Sequence, residues 1–204
     1  MHLRKGKVQR VRASLKRVDY NTKRDFVAFG ADGDIDEFKT VALLPESSAG
    51  WKFLPQASVK GDDWKQPGFD DAAWRTGKAP IGYGEEELKK RNGTTIPEQG
   101  QNFVFRRSFD LPGGVLDQKG ATVRLCVASD DSAEVYINGQ LADNDPVPDH
   151  EPIYWNQDIE IPAKLLKPGK NVIAVLVKNK QGSSDLFLDV ELSVQVPVPK
   201  KPKK

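Results

Sequence analysis

Residues 185–196 alternate without a break. Leu186, Leu188, Val190, Leu192, Val194 and Val196 hold one parity, and Asp185, Phe187, Asp189, Glu191, Ser193 and Gln195 hold the other. A period of two over twelve residues is the repeat of a strand, whose successive side chains leave opposite faces of a pleated backbone. No helix puts those six aliphatic side chains on one side. One face must therefore lie on a core while the other mostly meets water. In 171–177 both parities are apolar: Val172, Ala174 and Leu176 interleave with Ile173, Val175 and Val177. Such a strand belongs in the middle of a sheet with both faces covered. Val123, Leu125 and Val127 make a further half-buried strand. Val135 and Ile137 run into Asn138-Gly139, a pair suited to the type I′ turn because both central residues take positive φ. Residues 162–169 read as one short helical turn before the central strand. These patterns predict an all-β fold, a two-sheet antiparallel β-sandwich.

The main domain is expected over 51–196. Ahead of it, residues 1–45 read as a small β-meander or the remnant of an upstream domain. Val11, Ala13 and Leu15 alternate with polar neighbours, residues 26–29 lead to Asp32-Gly33, and 38–43 return. About 40 residues rarely fold alone. Residues 46–50 read as a connector, and 197–204 as a disordered Pro/Lys tail. Two long connectors, 84–101 and 143–157, stand out as places where function concentrates.

Charge is uneven although the net value is only +2. Residues 1–24 hold nine Lys/Arg against Asp19, and the tail adds four lysines, which leaves 18 basic and 28 acidic residues in 25–196. An acidic body argues against nucleic acid as the partner of the main domain. The single cysteine, Cys126, forbids an internal disulfide and reads as a buried inert thiol. No run of about 18 apolar residues is present, so no membrane-spanning helix is expected. The basic start Arg4-Lys5 is not followed by the apolar stretch of a signal peptide. The chain reads either as intracellular or, preferably, as a piece of a longer protein.

A set of segments in fixed order carries a resemblance. Trp51 to Leu54, Trp64, Phe69-Asp70-Asp71, Trp74 and Gly77-Lys78-Ala79-Pro80-Ile81-Gly82-Tyr83-Gly84 open it. Phe105-Arg106-Arg107-Ser108-Phe109, Asp130-Asp131-Ser132 through Asn138-Gly139, Leu166-Lys167-Pro168-Gly169 through Val175, and Ser183-Ser184-Asp185-Leu186 continue it. Over about 51–194 the chain resembles the galactose-binding-domain-like jelly-roll module of bacterial multidomain proteins. It is also similar to the sugar-binding domain of β-galactosidase-type glycoside hydrolases. The resemblance implies a non-catalytic accessory module, and an extracellular or periplasmic location. Ser132 stands where the family usually has glycine, and Lys178-Asn179 stand where a histidine is often found.

Catalytic signatures are lacking. The two histidines are His2 and His150, and no nucleophile elbow, zinc helix or phosphate loop is present. No catalytic residue is assigned. The acid pairs Asp62-Asp63, Asp70-Asp71 and Asp130-Asp131 do not by themselves place two carboxylates across a cleft. Calcium is the one cofactor the residues suggest, through Asp143, Asn144, Asp145 and Asp149, if these converge from a loop. Against it stands their use as local caps and Asx turns. Carbohydrate sites pair an aromatic face with polar groups for hydroxyls. His150, Tyr154, Trp155, Asn156 and Gln157 offer both, and Tyr83 could join from the other connector. Alternatively, Trp155 plugs the sandwich end and Tyr83 closes a glycine-rich turn. Trp51, Trp64 and Trp74 read as core. Arg107 shares the apolar parity of Phe105 and Phe109, and is expected to be pinned by a carboxylate such as Asp70 or Asp131.

The functional expectation is a carbohydrate-binding module without catalysis, its partner a glycan. The alternative is a structural spacer or protein-interaction domain that docks a neighbouring catalytic domain. Nucleic-acid binding through residues 1–24 ranks last.

Overall fold

The computed structural model describes residues 38–146, 155–181 and 183–198 in full, together with the backbone of three short strands nearer the N-terminus. Those strands, β1 (Gln9–Val11), β2 (Val27–Phe29) and β3 (Ile35–Asp36), form a small antiparallel sheet in that order. There follow β4 (Phe38–Leu44), β5 (Ala49–Pro55), β6 (Arg75–Lys78), β7 (Ile81–Tyr83), the short helix α1 (Glu86–Lys90) and β8 (Thr94–Thr95). After these come β9 (Phe103–Leu111), β10 (Thr122–Asp130), β11 (Ser132–Ile137), β12 (Gln140–Asp145), β13 (Gln157–Ile161), β14 (Gly169–Lys178) and β15 (Leu186–Pro197). They build two sheets. The first runs β13-β10-β15-β7-β8, with β4 also paired to β15, and the second runs β12-β11-β14-β9-β5-β6. All pairs are antiparallel except β7 with β8. The fold is an all-β two-sheet sandwich.

The alternating row of β15 faces inward as its period requires. Leu186 to Val196 on the even parity join one core cluster with Val123, Leu125 and Val127 of β10. From the second sheet Phe103, Phe105, Phe109, Ile173, Val175 and Val177 close against them, and Trp51 is wholly buried among them. Strand β14 is buried on both faces, but its second cover is not a sheet. Ala174 and Leu176 form a separate cluster with Val104 of β9 and with Trp64 and Trp74, which the segment between β5 and β6 supplies.

Arg106 holds that segment down. Its side chain is 2 % exposed; Nε donates to Asp71 Oδ2 at 2.7 Å, and Nη1 donates to the carbonyls of Trp64 and Gln66. The sequence pointed to Arg107 as the pinned arginine, and the structure assigns that role to its neighbour. The physical reason is the outer cover: Arg106 faces out from the sheet, and the outer face there is closed by the segment carrying Asp71. Arg107 instead lies half-buried against Gly50, where an added Cβ would fall 2.0 Å from Nη1.

Residues 38–43, which lie within β4, also differ from expectation. Read as the return of the N-terminal meander, they pair with β15, and the strand puts Leu43 and Leu44 into the sandwich core. An alternating strand does not name its partner, and here the partner is more than 140 residues away. Asn138 and Gly139 take φ of 51° and 81°, as a type I′ turn demands. Asn138 is then locked: its Oδ1 accepts from the Val172 amide, and Nδ2 donates to Leu165 O and Asn171 Oδ1. Among the described residues, no helix is long and apolar enough to cross a membrane.

Candidate functional site

The residues singled out from sequence separate into three groups. Tyr83 is buried, and its ring belongs to the main core. Its hydroxyl accepts from the Gly100 amide at 2.8 Å and from Asn179 Nδ2 at 2.7 Å. That phenol ties two loops together. Trp155, Asn156 and Gln157 lie together at the entry to β13. His150, Tyr154 and Asp149 lie outside the described residues.

Trp155 is half-buried and packs on Leu88 of α1, Ala128 of β10 and Phe187 of β15. Ala128 and Phe187 point away from the core row, so the indole lies on the outer face of the first sheet. Asn156 fixes it there. Its Oδ1 accepts from the Ser129 amide at 2.9 Å, while Nδ2 donates to Ser129 Oγ at 3.0 Å and to the Ser129 carbonyl at 3.2 Å. Nδ2 also reaches Asp145 Oδ2 at 3.4 Å. Gln157 opens β13 opposite Val127.

Asp143, Asn144 and Asp145 are not in a loop. They complete β12, opposite Val135, Glu134 and Ala133. Consecutive strand residues point to opposite faces, so the three cannot converge as calcium ligands from a loop would. Burial pushes the Asp143 carboxyl up from its ordinary range; bonding to the Asn144 backbone opposes this, and the charge on Asp145 adds to it.

Carboxylates do converge elsewhere. Glu85, Asp130 and Asp185 bring one oxygen each to within 4.8 Å of the others. The sheet register makes this meeting: Tyr83 opposes Leu186, and Phe187 opposes Asp130, so the ends of β7 and β10 and the start of β15 coincide. Gly84, with φ of 83°, permits the close approach, since a Cβ there would fall 2.5 Å from Asp185 Cβ. The Asp130 carboxyl is pushed up to about 8. Burial is the main cause, followed by the Asp131 carboxyl and the charges on Asp185 and Glu85. Asp131 is itself buried and accepts from the Lys180 amide.

A second buried carboxylate braces the same face. Asp189 is fully buried, yet it accepts from Arg91, from the Ser47 amide and from its neighbour Val190. Burial raises its carboxyl to about 6, against the lowering pull of Arg91. Arg91 follows α1, so this ion pair holds the helix that carries Leu88 against the sheet.

Sequence reasoning missed the three-carboxylate group. Each member sits at a strand end among turn residues, and each falls within or next to a segment that carries the family resemblance. That coincidence was the available signal.

No family model matches the chain, and no curated protein matches it. Solved structures do. A β-glucuronidase from Bacteroides uniformis is 19% identical and matches 78% of this chain and 18% of its own, with a TM-score of 0.51. B. uniformis β-glucuronidase 2 is 20% identical over 80% of this chain and 18% of that one, at a TM-score of 0.52. A glycoside hydrolase family 2 β-glucuronidase is 19% identical over 76% and 18%, at 0.50. The likeness is one of fold, and it agrees with the galactose-binding-like sandwich that the sequence resembles. The chain spans under a fifth of the length of these relatives.

Proposed function

We propose that this chain is a non-catalytic accessory module of a bacterial multidomain protein, and that it binds carbohydrate on the outer face of its first sheet. The observation that carries the reading is Trp155, a half-buried indole packed on the outer face of the first sheet against Leu88, Ala128 and Phe187, with the next residue, Asn156, anchored to Ser129. An aromatic face covers the C–H side of a pyranose, and fixed polar groups take its hydroxyls. His150, Tyr154 and Gln157 complete the site in this reading, with Asn156 as a positioning residue. In this reading the sandwich body begins at β4 and ends with β15, the small sheet of β1, β2 and β3 is the meander or upstream remnant, and the residues after β15 are the tail. The work is done outside the cell or in the periplasm, beside a catalytic neighbour.

Catalysis by this chain is disfavoured on geometry. A general acid must reach a glycosidic oxygen, and Asp130 and Asp189, whose carboxyls are pushed up to about 8 and about 6, are 5% and 0% exposed. A second reading is docking to a neighbouring enzyme domain. It is favoured by how small a share of the matched glycoside hydrolases the chain spans. Titration of glycans into the wild type and into Trp155→Ala separates the two. Sugar binding lost in the variant supports the first reading, and a blank glycan array with the wild type favours docking.

A further inference from the structure

We infer that Asn92 is a site of spontaneous covalent modification, deamidation through a cyclic imide, and that the isoaspartate formed there loosens the end of α1. The chain holds two Asn-Gly steps, Asn92-Gly93 and Asn138-Gly139. Asparagine is a thermolabile side chain, and a following glycine puts no Cβ in the way of ring closure. The main-chain nitrogen of the glycine attacks Cγ of the asparagine. The new C–N bond closes the imide, the bond from Cγ to Nδ2 breaks, and the displaced nitrogen leaves with the glycine amide proton as ammonia. Water then opens the ring at one of its carbonyls, giving aspartate or isoaspartate. No oxidant or cofactor takes part.

The sequence does not separate the two steps, and neither does the backbone, since both asparagines have φ of 51°. Side-chain bonding does. The Asn138 carboxamide is held from three sides: Oδ1 accepts from the Val172 amide, and Nδ2 donates to Leu165 O and Asn171 Oδ1. Its Cγ cannot turn towards the Gly139 nitrogen without leaving the Val172 amide unpaired. Gly139 is itself covered by Gln66, whose Oε1 would lie 2.3 Å from an added Cβ. Asn92 is exposed, and among the described residues no hydrogen bond holds its carboxamide. The constraint there falls on the attacking nitrogen, because the Gly93 amide donates to Leu88 O at 2.7 Å. That bond closes the end of α1, a helix of five residues, and helix ends fray. The consequence follows from position. Isoaspartate adds a methylene carbon to the main chain between Arg91 and Gly93. Arg91 pairs with buried Asp189 and with Ser47 Oγ, and Leu88 packs against Trp155.

The test is peptide mapping by mass spectrometry of the whole chain after incubation in mildly alkaline buffer, with isoaspartate identified by enzymatic methylation. In the folded protein Asn92 is expected to convert about tenfold or more faster than Asn138, the factor that unpairing one buried amide implies. The chain unfolded in urea should convert both at similar rates. Aged protein should lose hydrogen-exchange protection at the Arg91 and Gly93 amides, and Asn92→Gly, which the positive φ accepts, should age without that loss. Asn138 converting as fast as Asn92 in the folded state would overturn the inference. So would the same contrast in urea as in the folded chain, or no conversion at Asn92 over a period in which the unfolded chain converts. Unchanged protection at the end of α1 in protein carrying isoaspartate there would overturn the loosening.

Discussion

Asn156 is the residue on which the placement of Trp155 turns, and its removal has a calculable consequence. Ser129 is wholly buried, and its amide donates to Asn156 Oδ1 at 2.9 Å. In Asn156→Ala that N–H is left in the interior with no acceptor, which costs about 1–3 kcal/mol. The Ser129 carbonyl and hydroxyl lose the donor Nδ2 at the same time. These are the smaller losses, because carbonyl and hydroxyl oxygens tolerate one missing partner better than an amide does. The sum is about 2–3 kcal/mol, or about 5–10 °C in melting temperature for a domain of this size. Urea denaturation followed by tryptophan fluorescence measures it, and the midpoint should fall with an unchanged slope. Gln157→Ala, next along the chain, makes the control and should stay within about 0.5 kcal/mol. A midpoint for Asn156→Ala indistinguishable from that of the control would refute the claim that this amide seats the Trp155 segment.

Asp71→Ala should destabilise by about 3 kcal/mol, since it strips the carboxylate from a buried arginine, and Asp71→Ala with Arg106→Met should recover most of the loss in the same urea experiment. Tyr83→Phe should cost about 1 kcal/mol by removing the acceptor of the Gly100 amide and one of the two acceptors of Asn179 Nδ2, which keeps its bond to the Asp185 carbonyl, while leaving glycan affinity unchanged by calorimetry. The Asp130 carboxyl is raised to about 8 from an ordinary value near 3.8, so the folded state holds a proton that the unfolded chain releases. The stability this confers is full below about pH 4 and is lost as pH rises through 8. The protein should therefore melt lower at pH 9 than at pH 6, and Asp130→Asn should shrink that difference; an equal difference in the variant would contradict the assignment.

Much of the sandwich was legible because its strands follow simple periods. The even parity of 186–196 became the core row, the doubly apolar 171–177 became a strand covered on both faces, and Asn138-Gly139 became the turn. What was not legible depends on pairing across long stretches of chain. The alternation in 38–44 is equally compatible with the meander and with β15. Which of Arg106 and Arg107 is buried depends on a cover 35 residues upstream, not on strand parity. The sequence reading took Trp155 as a candidate aromatic platform among polar neighbours, but it did not bring together the three acids that meet where β7, β10 and β15 end or begin. Their convergence is set by register, which the spacing of Glu85, Asp130 and Asp185 along the chain does not reveal. The reverse holds for Asp143, Asn144 and Asp145, whose density suggested a loop site until the strand assignment turned alternate side chains apart.

The most direct test of the central claim is calorimetry of glycans, chosen from an array screen, against the wild type and Trp155→Ala. The account predicts measurable binding to the wild type, a loss of at least tenfold in the variant, and the same cooperative melt for both. Undiminished affinity in a folded Trp155→Ala protein would contradict it.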